Sequence, residues 1–391
     1  MIKIKVANIG EIEEAFFNGI NSNLVNKIDF YELAFEVISG NRDAADLITF
    51  NAIHGNTKTA MLKKFLLNKS LIAGKNDYHL ITIQANLKPH VFINRASYLT
   101  MLGDLKQGNN LKTLILNSPT GLLALEAQYT FAGIDNSIVN KIFSYGSFQT
   151  KKTTLIDEEE ENQDTDGYDA YTLTDALGID VCPYCNRGYI STIVSEKGKK
   201  ICRPTFDHFF DHASHPFLAL SFYNLIPSCT ICNSTLKGTK HFELNTHIHP
   251  YLEGFENDVE FDYWFKGLRP DKKHPANFEI VIRTKIPELS PKYRQLEGSP
   301  ASEDEGNIKV FKLREIYQSH ADIVGEIHTK LDRNSPYYAI SILNFIKALN
   351  TNKEDFYRFY FGNYLNEKDF NKRPLSKLTK DIVKKRFPEL V

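Results

Sequence analysis

The stretches VCPYCNRGYI (181–190) and NLIPSCTICNSTLKG (224–238) each carry a Cys-x-x-Cys pair, and these pairs decide how the centre of the chain can fold. Each x-x spacing lets two thiolates from one tight turn reach the same ion, and two such turns can close a tetrahedral zinc site with no open position. The four predicted ligands are Cys182, Cys185, Cys229 and Cys232. A closed site of this kind is structural, so we expect a zinc-stapled module.

The two cysteine pairs are separated by residues 186–228, which is 43 residues. A zinc ribbon spaces its two cysteine turns by roughly 15–20 residues, so this chain carries an insert between them. The insert contains TFDHFFDH (205–212). Asp207 offers a carboxylate suited to Mg²⁺ or Mn²⁺, and the neighbouring His208 can take a proton from water near neutral pH.

Two asparagines complete the pattern. Asn233 follows the last cysteine and can supply a second oxygen ligand to the divalent ion. Asn224 is suited to hold the loop through hydrogen bonds to backbone groups. Residues 189–194 are rich in strand-forming residues, residues 201–206 can form the returning strand, and residues 233–237 can start a helix.

The cysteine count also indicates the compartment. The chain has 391 residues and five cysteines, and paired x-x spacing with an odd count is typical of metal binding in a reducing compartment. Cys202 is left over, and we predict a buried or half-buried free thiol. Neither a signal peptide nor an apolar run long enough to span a membrane is evident, so we expect a cytoplasmic protein without membrane contact.

Sequence patterns divide the chain into four predicted regions. Residues 1–150 are expected to form a mainly helical domain for partner binding, regulation or DNA grip, because apolar residues recur at steps of three or four between Ile12 and Phe35. The acidic segment 151–169 is expected to be a linker or exposed loop. The cysteine-bracketed module occupies 170–254, and 255–391 is expected to be mixed and then helical, with one long amphipathic helix from Val310 to Leu331.

Local charge favours a polyanionic ligand for the central module. The whole chain has a net charge of −1, but residues 182–240 contain seven Lys and Arg against three Asp and Glu. Contacts between basic side chains and phosphates give affinity without sequence specificity. The predicted phosphate contacts are Arg187, Arg203, Lys237 and Lys240. We interpret His212 and His215 as exposed loop residues, with contact to phosphate or substrate as the alternative. His249 is interpreted as a residue that packs against the module.

The stretch CPYCNRGYI … FDHFFDHASHPFLALSFYNLIPSCTICNSTLKG resembles the HNH, or ββα-metal, endonucleases of the zinc-knuckle type over roughly residues 178–254. The resemblance implies an α+β fold with a zinc-stapled ββα-metal core between helical flanking domains. It makes Asp207 the metal-binding acid, His208 the general base and Asn224 the loop brace. Asn233 stands where many members have a final histidine that binds the metal, a substitution that also occurs in the family.

The expected function is therefore a Mg²⁺- or Mn²⁺-dependent endonuclease that hydrolyses phosphodiester bonds, with DNA favoured over RNA. Chains of this kind resemble nucleases of restriction or antiphage defence, some of which act with an ATPase partner of the ABC or SMC type. A non-catalytic zinc-ribbon module that binds nucleic acid or protein remains the alternative. A further alternative is a structural subunit whose nuclease site has lost its activity.

Overall fold

The computed structural model describes most of the chain. The described residues are 1–54, 93–130, 133–149, 168–256, 258–267, 274–284, 306–332, 341, 344, 352–388 and 391. They combine helices with three two-stranded sheets, which agrees with a mixed α+β composition. The predicted acidic linker lies outside the described residues except for its last two positions. Within the described part of the chain, no helix has the length and apolar character needed to cross a bilayer.

The chain folds into two compact units that are discontinuous in sequence. One, which we call the knuckle unit, consists of Met1–Ala7, Thr174–Phe209 and Ile226–Val391. The other, the helical unit, consists of Asn8–Leu173 and Phe210–Leu225. Composition shifts suggested contiguous regions with boundaries near 150, 169 and 254. Such shifts mark linkers, but they do not record which distant segments pack together.

The helical unit is built on one long helix. The helices are α1 (Ile9–Ile38), α2 (Ala44–His54), α3 (Arg95–Lys106), α4 (Asn110–Leu116), α5 (Pro119–Tyr129), α6 (Asn136–Ile142) and α7 (Tyr145–Gln149). The predicted apolar stripe of α1 is confirmed, since its members are buried: Ile12, Phe16, Ile20, Leu24, Ile28, Tyr31 and Phe35. This stripe packs on α2, α3, α4 and α6, and the Phe35 ring stacks on Tyr98 at 4.4 Å between centroids.

Helix α8 (Ala170–Leu177) leads into the region of the cysteines and its short strands. These are β1 (Ile193–Val194), β2 (Lys200–Cys202), β3 (Thr205–His208) and β4 (Leu225–Ser228). β1 pairs with β2 in an antiparallel hairpin, and β3 pairs with β4. A π-helix, Ile231–Lys237, begins three residues after the end of β4. The predicted order of strands, loop and helix is therefore present, with shorter strands than predicted.

The rest of the knuckle unit joins a hairpin to C-terminal helices. β5 (Val259–Phe265) and β6 (Phe278–Thr284) form an antiparallel pair in register from Val259↔Thr284 to Phe265↔Phe278. The helices are α9 (Asn307–Val310), α10 (Leu313–Gln318), α11 (Ala321–Asp332), α12 (Lys353–Phe361) and α13 (Ser376–Arg386). The hairpin packs on α10, α11 and α13.

The single long helix predicted from Val310 to Leu331 is wrong. The segment forms α9, α10 and α11, because the backbone of Lys312 adopts a left-handed conformation at φ 47° and ends the first helix. The apolar positions that suggested the helix are nevertheless buried: Val310, Leu313, Tyr317, Val324, Ile327 and Leu331. Periodicity thus identified the buried face but not the breaks.

Candidate metal centre and active site

The two Cys-x-x-Cys pairs meet in the knuckle unit. The Sγ atoms of Cys182, Cys185, Cys229 and Cys232 all lie within 4.8 Å of one another. Four thiolates at the usual zinc–sulfur distance of about 2.3 Å stand about 3.8 Å apart, so the cluster fits a tetrahedral ion. The predicted zinc ligands are therefore brought together, and the donor set is compatible with zinc.

The local backbone explains why the first cysteine turn closes. The Asn186 amide donates to the Cys182 carbonyl at 2.7 Å, and the Cys182 amide donates to the Gly188 carbonyl at 3.0 Å. Asn186 has a positive φ of 48°, a conformation that asparagine tolerates better than most residues. In the second turn the Cys232 amide donates to the Cys229 sulfur at 3.4 Å. Both turns therefore hold their cysteine pairs on one side.

The first turn is also anchored deep inside the knuckle unit. The Asn186 side chain donates to the Phe370 carbonyl and accepts from the Lys377 amide, each at 3.0 Å. The Tyr317 hydroxyl donates to the Cys185 carbonyl. Burial raises the pKa of the Cys182 thiol, so the thiolate form depends on a nearby cation.

Asp207 lies on β3 and is almost fully buried, with 3% of its surface exposed. Its Oδ1 accepts from the Lys237 ammonium at 2.9 Å, and its Oδ2 accepts from the Tyr184 hydroxyl at 2.6 Å. The same ammonium donates to the His208 carbonyl at 2.5 Å. Burial raises the pKa of Asp207, and the lysine and tyrosine contacts oppose that shift. The predicted metal-binding acid thus already has a cationic partner within the protein.

The π-helix places that lysine. Its wider turn is marked by the Gly238 amide, which donates to the Asn233 carbonyl five residues earlier at 2.8 Å. The Lys237 side chain is only 2% exposed and also lies over the Phe242 ring, 4.8 Å from its centroid. A π-helix is rare and is frequently found at functional sites.

The remaining predicted catalytic residues lie near their expected elements. Asn233 sits in the π-helix, and its Nδ2 donates to the Phe206 carbonyl on β3 at 3.2 Å. His208 ends β3 and is 8% exposed. Within the knuckle unit, the helix residue Asn233 is therefore tied to the strand that carries Asp207 and His208.

Asn224 belongs to the helical unit and is fully buried. Its Oδ1 accepts from the Phe210 amide at 2.7 Å, while its Nδ2 donates to the carbonyls of Phe210 at 3.0 Å and Leu218 at 2.9 Å. These bonds brace the loop that begins two residues after His208 along the chain. Asn224 therefore makes the predicted side-chain hydrogen bonds to backbone groups.

The four predicted phosphate contacts have unequal exposure. Arg187 and Arg203 are partly exposed, and Arg203 donates to the Pro204 carbonyl at 2.7 Å. Lys240 is partly buried and donates to the Leu236 carbonyl at 3.1 Å. Because the Lys237 ammonium is buried against Asp207, it is not retained among the proposed phosphate contacts.

Other predictions about single residues had mixed outcomes. Cys202 is exposed, so the expected burial of this thiol is wrong; its place on a two-stranded hairpin gives it no covering layer. His249 is fully buried, and its ring lies 4.3 Å from that of Phe209, which confirms packing against the module.

Sequence reasoning missed a histidine–carboxylate pair in the helical unit. The His215 Nδ1 lies 2.6 Å from Oε2 of Glu126, whose side chain is 9% exposed. This contact raises the pKa of His215 above its usual value. His215 is therefore a partly buried, partnered residue rather than an exposed loop residue. No sequence signal pairs two residues 89 positions apart.

Comparisons with known proteins do not identify a family or a fold relative for this chain. No family model, no curated protein and no solved structure matches the chain. What the structure establishes is a cluster of four cysteines compatible with zinc, within a mixed fold of helices and small sheets.

Proposed function

We propose that the protein is a Mg²⁺- or Mn²⁺-dependent endonuclease that hydrolyses phosphodiester bonds, with DNA favoured over RNA. The observation that supports this proposal is the attachment of the π-helix to β3. Asn233 bonds to the Phe206 carbonyl, next to Asp207 and two residues from His208, in the same unit as the four-cysteine cluster. Zinc would then be structural, and the hydrolytic chemistry would belong to this strand–helix junction.

Each residue has a stated role in the proposal. Asp207 and Asn233 would hold the divalent ion, which would supply electrostatic stabilisation of the charge that develops on the phosphate and leaving oxygen. His208 would take the proton from the attacking water. Asn224 bonds to the Phe210 amide and carbonyl, and it would hold in place the loop that begins at Phe210.

Lys237 adds a condition to this proposal. Its ammonium already neutralises Asp207, so Asp207 would exchange a buried monovalent cation for a divalent one when the metal binds. The carboxylate would keep a cationic partner in both states, while the displaced Lys237 ammonium would have to turn towards solvent so that it is not left buried without its carboxylate. We propose that Asp207 binds the divalent ion only when the Lys237 ammonium moves away from it.

A biological setting is also proposed. The resemblance of residues 178–254 to HNH endonucleases suggests a restriction or antiphage nuclease. The ATPase of the ABC or SMC type that accompanies some such nucleases is the proposed partner. Restraint by a partner would fit a nuclease whose free activity harms its own cell.

The test is cleavage of supercoiled plasmid by the purified zinc-loaded chain with Mg²⁺ or Mn²⁺. Wild type should nick or linearise the plasmid, and His208→Ala should lower the rate about 10²–10⁴-fold through loss of the base. His241→Ala is the matched control, because His241 is an exposed histidine outside the proposed site. Equal cleavage by His208→Ala and wild type would contradict the assigned base.

One observation favours the non-catalytic alternative. Asp207 is buried and paired with Lys237, as expected for a structural ion pair in a zinc-ribbon module that only binds nucleic acid or protein. That module would need zinc but neither His208 nor a second metal. Nucleic-acid binding that is unchanged in His208→Ala, together with no cleavage under any divalent ion or with the partner, would support it.

A further inference from the structure

An open groove of about 640 Å³ lies beside the cysteine cluster, within the knuckle unit. Residues of both cysteine turns, the β1–β2 hairpin, the start of β3 and His320 line it. None of the predicted catalytic residues lines it. The groove therefore lies outside the proposed catalytic residues, although two of the predicted phosphate contacts, Arg187 and Arg203, line it.

Apart from the sulfur atoms of Cys185 and Cys229, which the zinc would bind, the charged side chains that line the groove are basic. Its lining includes Arg187 and Arg203 but no aspartate or glutamate. The β1–β2 hairpin also carries three lysines and one glutamate that do not line the groove: Lys197, Lys199, Lys200 and Glu196. A cleft lined by one sign of charge concentrates ligands of the opposite sign, so the groove suits a polyanion.

The groove also exposes apolar and aromatic surface. Tyr189 is 65% exposed, Ile193 47% and Ile231 48%. The phosphates of a duplex would meet the arginines but leave these side chains without partners, since paired bases are stacked on each other. A single strand presents its phosphates and its unstacked bases together, and bases stack on exposed aromatic rings.

The groove begins close to the proposed active site. Thr205 lines the groove and lies on β3 two residues before Asp207, a separation of about 7 Å along a strand. A chain that follows the groove would therefore approach the strand that carries Asp207 and His208.

We propose that this groove binds single-stranded nucleic acid, with a base stacked on Tyr189 and phosphates held by Arg187 and Arg203. The choice of nucleic acid over another polyanion rests on the proposed nuclease function. The binding itself requires neither the divalent ion nor His208. The groove would thus receive an unpaired strand, for example one separated from a duplex by a partner.

The experiment measures fluorescence anisotropy of a labelled single strand with the full zinc-loaded chain and no added divalent ion. Tyr189→Ala should weaken binding about tenfold, while Tyr189→Phe should bind as wild type because the ring remains. Phe359→Ala is the matched control, since Phe359 is an aromatic residue that is 87% exposed outside the groove. Arg187→Gln should reduce the slope of log affinity against log salt by about 0.7. A duplex of the same sequence should bind more weakly.

The outcomes separate this proposal from the nuclease. If wild type fails to cleave but its binding of the single strand depends on Tyr189, the groove proposal is supported and the proposed nuclease activity is contradicted. If His208→Ala alone abolishes cleavage while Tyr189→Ala binds the strand as wild type does, the groove proposal fails alone. Duplex binding as tight as that of the single strand would overturn it. So would binding of polyglutamate without binding of the strand, which would assign the groove to an acidic protein segment.

Discussion

Two buried lysine–aspartate pairs in the knuckle unit look alike but are built differently. Lys377 and Asp381 are four residues apart on α13, and Nζ lies 2.7 and 2.8 Å from the two carboxylate oxygens. Lys237 and Asp207 are 30 residues apart, and Nζ reaches only Oδ1. Side-chain exposure is 4% or less in both pairs. One pair is local and the other is assembled by tertiary structure.

The partners of the two carboxylates show what the difference means. Asp381 also accepts from the Phe261 amide at 2.9 Å, which ties α13 to the edge of β5. Asp207 shares its lysine with the His208 carbonyl and takes its second bond from Tyr184. The first arrangement connects two elements of secondary structure. The second surrounds a carboxylate, next to the proposed base, with donors that a divalent cation could replace.

The first cysteine turn is hydrogen-bonded to one residue of each lysine–aspartate pair. Tyr184, between Cys182 and Cys185, donates to Asp207. Asn186, directly after Cys185, accepts from the Lys377 amide at the start of α13. Zinc would therefore hold both ion pairs in place, and the comparison can be tested by disturbing the cluster or either pair.

Removal of zinc should have the largest effect because it disturbs both pairs at once. A closed four-cysteine site contributes on the order of 10 kcal/mol of apparent folding free energy. Strong chelation, or Cys182→Ser, should unfold the region around residues 178–254 and abolish activity, as read by zinc content, far-UV circular dichroism and cleavage. Cys202→Ser is the control for zinc content and circular dichroism, since Cys202 is exposed and outside the cluster; its cleavage is not compared because Cys202 lines the groove. Unchanged structure and activity after chelation would argue against a structural zinc.

Loss of either lysine should come next. Lys377→Met and Lys237→Met each leave a buried carboxylate without its cation, which costs about 3–5 kcal/mol. Denaturant unfolding should show both losses, while the exposed pair Arg358–Asp355 should lose less than about 1 kcal/mol in Arg358→Ala. Equal stability of Lys237→Met and wild type would show that Asp207 does not depend on this lysine.

Divalent ions should then have different effects on variants of the two pairs. Mn²⁺ at about 100 times its Kd should restore about 2.7 kcal/mol to Lys237→Met, because Asp207 can bind the ion, but nothing to Lys377→Met. Thermal unfolding with and without Mn²⁺ measures the difference. The rescue should disappear when Asp207→Asn is added. Equal rescue of both lysine variants would remove the distinction between an exchangeable and a fixed cation.

The smallest expected effect concerns the partly buried pair Glu126–His215 in the helical unit. Its contact raises the pKa of His215 in the folded state. The stabilisation is therefore fully present below about pH 6.5, the unfolded value, and is lost as pH rises through the folded pKa. Unfolding followed from pH 5 to 9 should show a decline on the order of 1 kcal/mol in wild type. Glu126→Gln should flatten it, and a decline of the same size in Glu126→Gln would contradict the assignment.

Local patterns predicted a substantial part of this molecule. The apolar stripe of α1 and the helix after Cys232 follow from periodicity and from residue types within a few positions of the chain. The four cysteines were identified from spacing, because two ligands on one turn must reach one ion. The breaks at Lys312 and around Ser319 were not predicted, since the buried face continues across them.

The sequence by itself determined which residues could carry chemistry: four thiols in two pairs, and Asp207, His208, Asn224 and Asn233 around the insert. Only the tertiary structure decided how far each is exposed and what it touches. Lys237, predicted to meet phosphate, became the counter-cation of Asp207, and His215 acquired Glu126 from a distant helix. The reason is physical: side-chain type sets the available donors, acceptors and charges, while burial and partners depend on segments that only folding brings together.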